Sequence, residues 1–154
     1  MCGGIVWKLD KVPKKDLQKF YTKEQIDKFN ESGKGTSFFW EAQPALPIEI
    51  DNQIKLMPWG NRDDKTSKLP QTGWAKVESI RDGKWKWLHP KRVKIIAEQG
   101  YEKGKWFNVK SGGIEGLVAK LDKEERTYMI TKPASESYRE LFKHNREPIE
   151  TKIL

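Results

Sequence analysis

Apolar positions along this chain come in short runs whose spacing changes twice. Ile5, Val6 and Trp7 follow Cys2, Gly3 and Gly4, a pattern suited to a buried strand whose first residues need close backbone approach. Between Pro13 and Phe29 the apolar residues Leu17, Phe20, Tyr21, Ile26 and Phe29 fall near helical spacing. Thr22 and Gln25 have the separation of a capping box, so the segment predicts two short helices, or one broken helix, ending before Gly33. From Thr36 the texture becomes strand-like, with runs at Phe38 to Ala42, Pro47 to Ile50, Ile54 to Trp59, Ala75 to Ile80, Val93 to Ala97, Trp106 to Val109, Ile114 to Ala119 and Thr127 to Thr131. Asp51-Asn52 and Asp82-Gly83 read as hairpin turns, and Asn61 to Gln71 reads as an exposed loop. Pro133 opens a late helix with Ser135 as a cap and Tyr138, Leu141 and Phe142 on one face; His144 follows it, and Pro148 bars further helix.

These elements predict an α+β protein: a mostly antiparallel, barrel-like sheet core with a few short peripheral helices. At 154 residues the chain fits one domain, since domains commonly run to about 100–150 residues. No internal repeat or composition shift divides it. Charged residues make up 34% and hydrophobic residues 36%, but seven Trp, six Phe and four Tyr argue against disorder. The formal charge of +8 favours a polyanion such as nucleic acid or an anionic membrane surface, although a soluble protein can simply be basic. No apolar run approaches the ~20 residues of a membrane span. The reading is a cytoplasmic, monomeric protein without a membrane partner.

Chemistry is sparse. A single cysteine and two histidines do not form a zinc-ligand set, and no glycine-rich phosphate loop is present, so no metal and no cofactor are expected. Cys2 acquires special chemistry if Met1 is removed, as aminopeptidases do when the second residue is small. The free α-amine and thiol then form a 1,2-aminothiol, able to add to an aldehyde and close a thiazolidine ring. Both groups titrate near pH 8 to 9, which leaves a nucleophilic fraction at neutral pH. Glu102 falls at or just beyond the end of the strand run that starts at Val93; a carboxylate there can be catalytic or a solvated turn residue. His144 can shuttle protons near neutral pH or be an ordinary surface histidine. Trp59, Trp74, Lys76, Lys84, Trp85, Lys86 and Trp87 suit a groove that stacks bases and tracks phosphates, or else the tryptophans are core.

The order of several blocks resembles the SOS-response-associated peptidase family along nearly the whole chain. Met1-Cys2-Gly3 stands at the start, followed by Pro58-Trp59-Gly60 and then Trp74-Ala75-Lys76-Val77-Glu78-Ser79. The strand Val93 to Glu102 is similar to the family strand that ends in a Tyr-Glu element. Ile114 to Asp122 and Thr127 to Thr131 occupy the next two strands, and His144-Asn145-Arg146-Glu147-Pro148 is similar to the family's His-x-Arg-Met-Pro.

The resemblance implies a DNA-repair protein of the SOS response that binds single-stranded DNA and captures abasic sites as a covalent thiazolidine crosslink through Cys2. Glu102 and His144 would assist proton transfers, as in a lyase-like enzyme, while Lys76, Arg146, Trp59 and Trp74 would lie against the nucleic acid. The chain departs from the family pattern where Trp74 replaces an asparagine, Gly4 and Lys76 replace arginines, and Gln99, Gly100, Lys103 and Glu147 also differ. Two other readings remain open. One is a non-covalent single-stranded nucleic-acid-binding module. The other is an N-terminal-nucleophile peptidase or amidase, with autoproteolytic release of Met1.

Overall fold

A computed structural model describes residues 1–152. It is an α+β fold of eleven strands and four short helices. The first strand, β1 (Gly4–Lys8), leads through a 3-10 turn to helices α1 (Lys14–Phe20) and α2 (Lys23–Ser32). The expected capping box is present: the Gln25 amide donates to the Thr22 hydroxyl at 3.2 Å, and the Thr22 amide donates to the Gln25 side chain at 2.9 Å. Gly33, with φ of 75°, closes α2 in the left-handed conformation that glycine adopts at least cost. Two helices form, divided at Tyr21.

Strands β2 (Lys34–Phe38), β3 (Ala45–Ile50), β4 (Gln53–Pro58) and β5 (Trp74–Lys76) follow, then α3 (Val77–Arg81). After a second 3-10 turn come β6 (Lys91–Ile96), β7 (Gln99–Glu102), β8 (Lys105–Asn108), β9 (Gly113–Leu121) and β10 (Glu124–Pro133). Helix α4 (Glu136–Phe142) and β11 (Arg146–Pro148) complete the described chain. One sheet runs β2-β1-β7-β8. The other runs β11-β10-β9-β6-β3-β4, with β5 pairing β10 in parallel and the remaining pairs antiparallel. The barrel-like expectation needs correction. The larger sheet curls until Trp59, just past β4, bridges Thr127 of β10, but contact at that one rung leaves both sheets open.

The main core lies between the sheets and gathers Ile5, Trp7, Leu46, Ile48, Ile95 and Met129. A second cluster, with Leu88, Leu117, Tyr128 and Ile130, covers the outer face of β9 and β10 under α3. Strands β9 and β10 are thus buried on both faces, which is why they read as continuous apolar runs.

Several boundaries differ from expectation. The run Ala75 to Ile80 extends only to Lys76 and then becomes α3, because Val77 and Ile80, three residues apart, both turn onto the second cluster. Asp82-Gly83 makes no hairpin: Asp82 caps α3 and Gly83, at φ of 78°, reverses the chain behind it. Asp51 and Asn52 do form the β3–β4 hairpin turn, both at positive φ. Strand β2 begins earlier than expected and stops at Phe38, leaving Phe39 to Ala42 outside any strand. The Asn61 to Gln71 loop is anchored by buried Asn61 and Leu69 and is exposed between them and again at Gln71. Among the described residues no helix is long and apolar enough to cross a membrane.

Candidate nucleophile site at the chain start

Strand β1 pairs with β7 in the register Gly4–Tyr101, and the ladder continues past the strand through Gly3, whose amide donates to the Tyr101 carbonyl at 2.9 Å. This pairing lays the chain start beside the last residue of β7, Glu102. The terminal amine of Met1 lies 2.9 Å from Glu102 Oε1, and the carboxylate itself is almost wholly buried. A buried carboxylate needs paired partners to offset lost hydration. Glu102 has two, because the hydroxyl of Tyr138 on α4 donates to the same oxygen at 3.1 Å.

Cys2 is the third member of this group. Its thiol is fully buried and donates to the Gly4 carbonyl at 3.2 Å. Burial pushes the thiol up to about 11, outweighing backbone hydrogen bonding at Tyr101 and Gly4, which lowers it; the Glu102 charge raises it further. With Met1 in place the sulfur is a neutral, covered thiol. Tyr138 is likewise pushed upward by burial first, then by the charge of Glu102, so its hydroxyl stays protonated and remains a donor.

Helix α4 is fastened above Glu102 by contacts from the β7–β8 hairpin. Phe107 packs edge-on against Tyr138 and Phe142, at 5.9 and 5.3 Å between ring centroids. The Lys103 ammonium donates to the Lys143 carbonyl and the Lys105 ammonium to the Leu141 carbonyl, both at the C-terminal end of α4, where cations are favoured. Ser135 caps the other end, as expected, accepting from the Tyr138 amide. Tyr138 and Phe142 face inward, whereas Leu141, expected beside them, is exposed.

The other expected site residues divide. Trp74 touches the site: its indole N–H donates to the Cys2 carbonyl at 3.0 Å, while Phe39 packs on its ring. Lys76 is exposed two residues further along β5. Arg146 on β11 makes a bidentate pair with Glu78 at 2.7 and 2.9 Å and also donates to the Thr131 carbonyl, so its guanidinium is already occupied. That pair holds the Glu78 carboxyl down at about 2 through the Arg146 hydrogen bond. Trp59 is a core residue: it is fully buried and donates to the Gly73 carbonyl at 2.9 Å, which leaves no ring face on which a base could stack.

His144 follows the α4 cap Lys143, which lies at φ of 55°. Its Nδ1 lies 3.1 Å from the Arg146 amide and 3.3 Å from the Arg146 carbonyl. Among the described residues none of its hydrogen bonds reaches Cys2 or Glu102. The structure therefore brings together Met1, Cys2, Trp74, Glu102 and Tyr138, with Lys76, His144 and Arg146 on the β5–β10–β11 flank. Tyr138 was legible only as an apolar contact, and its one signal was a polar tip on an inward helix face.

Two clefts of about 950 and 1010 Å³ border α1, and neither is lined by any of these residues.

No family model matches the sequence, and no curated protein matches it. Among solved structures the fold is similar to a crystal structure of a protein from Bacteroides thetaiotaomicron, determined as a structural-genomics target. The identity is 15%, the TM-score is 0.54, and the match covers 94% of this chain and 75% of that one. At such identity the likeness shows the α+β fold and nothing about activity.

Proposed function

We propose that the protein acts on single-stranded DNA bearing an abasic site, with Cys2 as the nucleophile once Met1 has been removed. One observation carries this reading: an N-terminal amine held 2.9 Å from the buried carboxylate of Glu102, with the only thiol of the chain beside it. Loss of Met1 retracts the amine by one residue, about 3.8 Å along the chain, and opens the space that Met1 occupies above Glu102.

The chemistry balances without a redox partner. The Cys2 amine adds to the aldehyde carbon of the ring-opened deoxyribose, and loss of one water gives a Schiff base. The thiol then adds to the same carbon while its proton passes to the nitrogen, closing the thiazolidine. Glu102 is suited to take the proton from the attacking amine and return it to the departing oxygen, and Tyr138 keeps that carboxylate oriented. The family resemblance extends the proton-transfer role to His144, which lies on the flank of the site with its hydrogen bonds on Arg146.

The test is a denaturing gel of processed protein with a labelled oligonucleotide containing one abasic aldehyde. A retained adduct is expected for the wild type and none for Cys2→Ala; intact mass establishes the processing state. Absence of an adduct with fully processed wild type would overturn the reading. A second reading, non-covalent binding of single-stranded nucleic acid, is favoured by Trp74, whose ring sits against the Cys2 backbone where the resembled family carries a smaller amide. It predicts binding that Cys2→Ala leaves unchanged and no adduct with either protein.

A further inference from the structure

Opposite the core, the four-stranded sheet presents an aromatic row to solvent. The register aligns Phe38 on β2, Gly4 on β1, Tyr101 on β7 and Trp106 on β8, so their side chains emerge on one face. Gly4 is the gap in that row: a Cβ there would lie 2.4 Å from Phe38 Cδ1, so the Phe38 ring leans across the glycine towards Tyr101. Trp40, just past β2, stacks on Phe38 with centroids 4.5 Å apart and planes 22° from parallel. Trp106 packs against Tyr101 at 4.8 Å, and Trp40 reaches the same tyrosine at 5.9 Å. The four rings form one surface, yet Trp40 and Trp106 remain 59% and 43% exposed. The next row on this face, Thr36, Val6, Gln99 and Asn108, is largely polar and bounds the patch on one side. On the other side lies the chain start, since a Cβ on Gly3 would be 3.5 Å from the Trp40 ring.

From this arrangement we infer that Trp40 and Trp106 form a stacking platform for unpaired bases of a single-stranded nucleic acid, next to the Cys2 site on the other side of β7. The inference rests on the nucleic-acid reading above and adds a specific surface to it. Aromatic rings left exposed on a polar protein mark a binding surface, and the surrounding charge selects the partner. Lys103 and Lys105 turn their ammonium groups to α4 carbonyls on the opposite face of the sheet, so the cation beside the platform is Arg62, which pairs with the exposed Asp63 and donates to the Phe39 and Glu41 carbonyls on either side of Trp40. Glu41, one residue past Trp40, is turned inward onto the Phe38 amide. A net charge of +8 works against a second copy of the chain docking here and favours a polyanion whose bases offer π-faces in any sequence.

Fluorescence anisotropy with a labelled oligothymidylate carrying a tetrahydrofuran abasic analogue, which lacks the aldehyde, isolates binding from crosslinking. The double variant Trp40→Ala/Trp106→Ala is expected to lose roughly tenfold or more in affinity, while Trp40→Phe/Trp106→Phe recovers most of it. Dependence on salt should stay as in wild type, because no phosphate contact is removed. Unchanged thermal melting establishes that the variants fold. If wild type and the alanine variant bind equally, the platform is refuted and the nucleic-acid reading survives. If wild type binds no oligonucleotide, the nucleic-acid reading fails and takes the platform with it. Self-association of the wild type without DNA, abolished by Trp40→Ala, would make the face a homodimer contact and overturn the inference.

Discussion

A thiol with no exposed surface, one residue from the chain start, is an unusual place for reactivity. Cys2 behaves in the Met1-bearing chain as a small core residue, and its proton is held there by burial. The linkage has a definite sign. Because the folded thiol is raised from 9.0 to about 11, the folded state binds that proton more tightly than the unfolded chain does. The resulting stability is fully present below pH 9 and is lost as pH rises towards 11. A shift of this size corresponds to about 2 to 3 kcal/mol. Urea unfolding of Met1-bearing protein should therefore show a larger loss of stability between pH 8 and pH 11 for wild type than for Cys2→Ala, by an amount of that order. Parallel pH profiles for the two proteins would show that the thiol is not held protonated.

Elements position the site by close approach of backbones. Strands β1 and β2 are drawn together where Gly35 faces Trp7: a Cβ at Gly35 would lie 2.1 Å from the Trp7 ring, and Trp7 is fully buried with its indole bonded to Ser37. Gly35→Ala must displace that ring or the strand and is expected to cost about 1–3 kcal/mol, measured as a lower urea midpoint with an unchanged slope. A stability equal to wild type would mean that the indole repacks freely. Both α2 and the β3–β4 hairpin were legible from Thr22, Gln25, Gly33, Asp51 and Asn52, because caps and tight turns depend on the nearest few residues. The α3 segment was misread because Val77 and Ile80 are good strand formers. Their helical separation is rewarded only once the second core cluster exists to receive both.

At the scale of the whole molecule, charge and surface decide what can approach. If the +8 chain binds single-stranded DNA, its affinity should fall with salt, with a logarithmic slope of about 0.7 per phosphate neutralised. Lys76 is exposed beside the Trp74 flank and carries no carboxylate partner among the described ion pairs. Lys76→Gln should lower that slope by roughly 0.7, read from anisotropy titrations across a salt series. An unchanged slope would remove Lys76 from the interface. Arg146, which the motif order also assigned to phosphate, is held instead by Glu78, and an exposed-charge argument made from composition had no means of detecting that competitor.

Local chemistry in the chain was sufficient to determine the α+β class, the helix caps, the β3–β4 turn and the three residues Cys2, Glu102 and His144 as candidates. Their meaning depended on contacts between distant segments. Only the β1–β7 register set the N-terminal amine against Glu102, only the docking of α4 made Tyr138 a polar partner, and only the folded core removed Trp59 from the surface. The aromatic row on the four-stranded sheet arose in the same way, from residues 4, 38, 101 and 106 brought to one rung. Pairing partners so far apart are selected by burial of the whole sheet, and no window of neighbouring residues contains that information.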